Sequence, residues 1–145
     1  MWNFRPAVRR SRRAVAGALM LLSLPAQANE VFPYDRQWML DVAPMGQMRR
    51  TPSIAIDSDG SARIELWCRT ASARVTTNGN QIRIAPAPLP ETPPQYRSDG
   101  QCAPERMDAD VSLLNALAQV TTWRKAGGGV TLEGPVALRF LADDH

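Results

Sequence analysis

The chain has 145 residues, enough for one domain, with 17 basic and 14 acidic side chains. Its only histidine is His145, the last residue, so a Ser-His-Asp triad or a multi-histidine metal site has no imidazole in a fixed core. Gly-x-Ser-x-Gly, phosphate-loop and dinucleotide fingerprints are absent as well.

The first 28 residues read as a secretory leader. Arg5, Arg9, Arg10, Arg12 and Arg13 form a basic head, and the apolar run 14–24, 11 residues long, is too short to span a bilayer. Ala26-Gln27-Ala28 is a small-x-small cleavage signal, which predicts a mature N-terminus at Asn29 and one domain over 29–145. Ser11-Arg12-Arg13 also fits the twin-arginine route. No cysteine precedes Cys68, so a lipoprotein anchor at this cleavage site is excluded. The expected location is the periplasm or the medium, with no stable membrane anchor.

Removing the leader reverses the charge. It holds 5 Arg and no acid, so the mature chain carries 12 basic minus 14 acidic residues, or −2. The basic balance therefore belongs to export and does not point to nucleic acid. In an oxidising compartment Cys68 and Cys102, the only cysteines, are expected to form a disulfide. Closing a loop of about 35 residues would contribute roughly 3–4 kcal/mol on the chain-entropy model.

Along the mature chain the pattern is mostly that of strands. Gln37–Val42 carries Trp38 and Leu40 in alternation. A hairpin of Ser53–Asp57 and Ala62–Leu66 turns at Ser58-Asp59-Gly60, with Ile54, Ile56, Ile64 and Leu66 on one face. A second hairpin, Ala73–Thr77 and Gln81–Ala85, turns at Asn78-Gly79-Asn80. Pro86, Pro88, Pro90, Pro93 and Pro94 make 86–101 a long loop. One convincing helix follows, opening at Pro104 and running to Val120. Met107, Val111, Leu114, Leu117 and Val120 recur at helical spacing and define its expected core face. Glu105, Asp108 and Asp110 suit the positive end of its dipole. Thr122–Lys125, Val130–Leu132 and Val136–Leu141 close the chain as strands, the last with Val136, Leu138 and Phe140 facing inward. The expected fold is α+β: a curled, mostly antiparallel sheet of about eight strands wrapped around one helix.

The order of these pieces resembles the META domain family, the HslJ-like heat-inducible bacterial proteins. The carriers are Trp38, the run Ile54-Ala55-Ile56-Asp57-Ser58-Asp59-Gly60, Cys68, Asn78-Gly79-Asn80-Gln81-Ile82, Cys102-Ala103-Pro104, Met107, Leu113-Leu114-Asn115-Ala116-Leu117 and Leu138-Arg139-Phe140. They cover about 36–143, nearly all of the mature chain. Family members commonly have Gly-Cys-Asn at the first cysteine, where this chain has Trp67-Cys68-Arg69, and the loop before Cys102 is longer here. The resemblance implies a sheet around a helix, an envelope location, and links to stress tolerance or secretion. It implies no catalytic residue.

Residue by residue, little else points to chemistry. Asp57-Ser58-Asp59-Gly60 lacks the spacing of an EF-hand and reads as a turn, and Cys68 and Cys102 lack redox CxxC spacing. Gly127-Gly128-Gly129 reads as a hairpin turn. Arg63, Arg83 and Arg139 oppose the core-facing parity, and with Trp67 they are the candidate binding face for an anionic lipid or glycan. No catalytic residue, cofactor or metal is expected. The leading expectation is a monomeric, non-enzymatic envelope domain that binds another protein or supports stress tolerance. The alternative is a carrier for an apolar or amphipathic ligand held between helix and sheet.

Overall fold

A computed structural model describes residues 30–43, 45, 50–91 and 102–143. The expected leader, the end of the proline-rich loop (92–101) and His145 lie outside the described residues. The strands are β1 (Arg36–Leu40), β2 (Ser53–Ile56), β3 (Ser61–Glu65), β4 (Thr70–Asn78) and β5 (Gln81–Pro86), then helix α1 (Pro104–Ala118), then β6 (Thr122–Ala126), β7 (Gly129–Glu133) and β8 (Leu138–Ala142). All eight pair in sequence order, each antiparallel to the next, and β8 returns to β1, so the sheet closes into a barrel. Closure removes the two edges that an open curled sheet would leave exposed.

Period-2 patterning explains the lining. Ile54 pairs with Ile64 across β2 and β3, and Val75 with Ile84 across β4 and β5; all four are buried. With Trp38, Leu40, Leu132 and Phe140 they form one continuous core. The turns are those the glycines permit. Gly60, at φ 85°, sits where an added Cβ would lie 2.7 Å from the Val75 carbonyl, so a side chain is excluded there on two counts.

Because consecutive strands alternate in direction, the connections alternate between the two ends of the barrel. The β3–β4 turn, the helical β5–β6 crossover and the β7–β8 turn share one end. The far end is closed by the segment before β1. There Phe32 meets Trp123 edge-on at 5.1 Å, the Trp123 indole N–H donates to the Gly79 carbonyl at 2.8 Å, and Tyr34 and Thr77 share a hydroxyl hydrogen bond. Asp35 fastens the segment to the β2–β3 side, its N–H donating to Ile56 and its carboxylate accepting from the Ser58 N–H.

The helix buries Leu114, Leu117 and Val120 of the expected face, but not Val111 or Met107. Leu113, Leu114 and Leu117 enter the core, and Val120 joins them just beyond the last turn. Val111 is 43% exposed and Met107 only half-buried. The position taken for Val111 is filled by Asp110, which is 0% exposed. Val136, expected to face inward at the start of β8, lies before the strand and is 56% exposed.

Candidate functional site

The site begins where the barrel closes least. β5 meets β6 only at Gln81–Thr122, supported by the Ile82 N–H donating to the Thr121 carbonyl at 3.0 Å. Past that step the chain opposite β5 is no longer β6 but the segment leaving α1, whose C-terminal end stands beside β5. A groove of about 730 Å³ runs along this junction. Its floor is the outward face of β4 and β5, including Thr76, Asn78 and Arg83; its wall is the chain leaving the helix, including Gln119, Thr121 and Thr122.

The lining is mixed: Ile82, Ile84, Ala85, Ala118 and Val120 line it beside hydroxyls and carboxamides, and its one charge is a guanidinium. Hydroxyls and carboxamides supply both donors and acceptors. Arg83 is the only ionisable side chain, and no carboxylate lines the groove. Lower down, the interior of the barrel holds a cavity of about 10 Å³ bordered by Phe32, Trp38 and Phe140 among others. Leu114 and Leu117 line neither space.

The structure separates the four residues expected to share a binding face. Arg63, Arg83 and Arg139 stand on β3, β5 and β8, two or three strands apart around a closed eight-strand ring, so they look in different directions. An open sheet has one convex face; a barrel does not. Arg63 pairs with Glu65 at 3.1 Å and Arg139 with Asp41 at 3.6 Å. Arg83 has no ion pair among the described residues and is the one that enters the groove. Trp67 packs against the core at the helix end of the barrel, with its indole N–H buried and unbonded.

The two cysteines come together as expected, though no bond joins them in this structure. Burial first, and then a hydrogen bond with the Cys102 side chain, push the Cys68 thiol up to about 12. Beside them is a cluster that sequence reasoning missed. Asp110 accepts the backbone N–H groups of Cys68 and Arg69 at 3.1–3.3 Å, and Arg69 reaches on to the Met107 carbonyl at 3.0 Å. This ties the β3–β4 turn to the helix and is structural in character. Among the described residues no group of three or more His, Cys, Asp or Glu could hold a metal ion, and no helix is long and apolar enough to cross a membrane.

No family model matches the chain, and no curated protein matches it. Among solved structures it is similar to that of an uncharacterised E. coli protein determined by NMR, at 12% identity and a TM-score of 0.53. The match covers 73% of this chain and 87% of that one. At that identity the likeness is one of fold alone.

Proposed function

We propose that this chain is an exported, non-enzymatic domain of the bacterial envelope that acts by binding another protein, of the META-like kind that supports stress tolerance. The observation carrying this reading is the contrast between a small cavity inside the barrel and an open groove outside it. A cavity of about 10 Å³ holds at most one water, whereas the groove beside α1 has a volume within the range of specific binding sites. The leader pattern supports export, and the order of motifs supports the META-like assignment. The alternative, an apolar ligand held between helix and sheet, finds less support because Leu114 and Leu117 line neither the groove nor the interior cavity.

The test is to recover the protein from envelope extracts under native conditions and analyse what accompanies it for both protein and lipid. A stoichiometric protein partner is expected. A tightly held lipid without one would move the ligand reading to first place.

A further inference from the structure

We infer that the groove beside α1 takes an extended, acidic stretch of a partner polypeptide, with Arg83 pairing to one of its carboxylates. This rests on the protein-binding reading above and adds the chemistry of what is bound.

Charge comes first. Arg63 and Arg139 each have an acidic neighbour, whereas Arg83 has none among the described residues. An incoming carboxylate would meet a guanidinium and no like charge in the lining. A charge-assisted pair at a groove floor, shielded on one side by the helix end, is stronger than the same pair on an open surface.

The other groups suit a peptide backbone. The Asn78 and Gln81 carboxamides and the Thr76 and Thr121 hydroxyls can meet alternating N–H and C=O groups. The Ile82 N–H points toward the β6 side, where it bonds to Thr121. Two residues on, Ile84 presents its own N–H and C=O in the same direction. There the β5–β6 register has ended and, on the side away from its β4 partner Val75, no strand among the described residues pairs with it. An extended chain could continue the ladder at that point, as in recognition by strand addition. Gln81 to Ala85 spans about 13 Å at ~3.3 Å per residue, room for roughly four residues of ligand.

A sugar fits less well. No aromatic side chain lines the groove, so a sugar ring has no face to stack on.

The experiment uses the exported protein, ¹⁵N-labelled, and three probes. These are a hexapeptide alternating Glu and Thr, the same peptide with Gln in place of every Glu, and vesicles containing phosphatidylglycerol. The Glu peptide should shift the amide signals of Thr76, Arg83 and Gln119, and the Gln peptide should bind about tenfold more weakly. Arg83→Gln, checked by its unchanged melting temperature, should weaken the Glu peptide by a similar factor, whereas Arg63→Gln should leave binding within about twofold. No binding of the Glu peptide, equal binding by Arg83→Gln, or binding of vesicles alone would overturn the assignment. Failure here is separable from failure of the broader reading. An envelope partner that Arg83→Gln still retains removes the groove but keeps the binding module; wild-type protein with no partner removes the module itself.

Discussion

The Asp110 carboxylate accepts the Nε–H of Arg69 at 3.2 Å from a position with no solvent exposure, while the Arg69 side chain is 13% exposed. This is the polar joint between α1 and the barrel. Two backbone N–H groups of the β3–β4 turn satisfy the same carboxylate, and Arg69 also caps a carbonyl within the helix. Such a joint holds only when complete, because removing one partner leaves the other charge buried and unpaired.

Asp110→Ala is therefore expected to cost about 3–5 kcal/mol. It strands the Arg69 guanidinium and two backbone donors together. Urea denaturation of wild type and variant measures this directly. A loss below about 1 kcal/mol would mean the turn finds water in place of the carboxylate, and the joint is dispensable.

The helix face gives a second test. Leu117 is fully buried, and Leu117→Ala should cost about 2–5 kcal/mol through lost burial and the cavity left behind. Val111→Asp should change stability by no more than about 0.5 kcal/mol, since that side chain already faces water. Thermal melts of the pair decide the phase of the helix. A loss from Val111→Asp as large as that from Leu117→Ala would return Val111 to the core face, as the stripe read from the sequence has it.

How far the sequence was legible follows from these residues. The strands were readable because Ile54, Ile64, Ile82 and Phe140 alternate with polar neighbours, and period 2 has few competing explanations. The helix lies where Pro104 and the leucines place it, and Leu114 and Leu117 are buried as the stripe has them, but in its first half Asp110 rather than Val111 is buried. Asp110 looked like a dipole partner in the first turns, because nothing local distinguishes that role from burial against an arginine more than forty positions earlier. Closure was also hidden. The pairing of β8 with β1 joins the two ends of the domain and has no local signature. Without it the three arginines fell on one imagined face. Arg83 was named as a candidate, but its distinction from Arg63 and Arg139 depends on Glu65, Asp41 and the end of the β5–β6 register.

The cysteine pair makes a prediction about chemistry. Protein isolated from the envelope should yield a Cys68–Cys102 cross-linked peptide on non-reducing mapping. After reduction, Cys68 should resist alkylation. A thiol moved from 9.0 to about 12 has its thiolate population at pH 8 cut by roughly a thousandfold, and the thiolate is the reactive form. The sign for stability follows from the same shift. The folded, reduced protein holds this proton more tightly than the unfolded chain, so that contribution is fully present below about 9 and lost as pH rises toward about 12. Alkylation of reduced protein at pH 8 as fast as in a denatured control would contradict the buried placement of the pair.

The β6–β7 turn offers the last test, because two adjacent glycines are there for different reasons. Gly128 has φ 74°, and a Cβ added to it would touch nothing within 4 Å. Gly128→Ala should therefore cost only the left-handed backbone term of about 1–2 kcal/mol. Gly129 opens β7 opposite Leu141, and an added Cβ would lie 2.3 Å from the Phe140 carbonyl oxygen. That neighbour is backbone in the adjacent strand, so relief requires β7 and β8 to separate next to the core residues Val130 and Phe140. Gly129→Ala should thus be the more damaging of the two, by about 1 kcal/mol or more, and should accelerate amide exchange across the β7–β8 ladder as well as in the turn. Gly128→Ala should leave that ladder's exchange unchanged. Equal losses in the two variants, with exchange altered only in the turn, would mean that Gly129 serves turn flexibility and that the close approach of β7 to β8 is absent in solution.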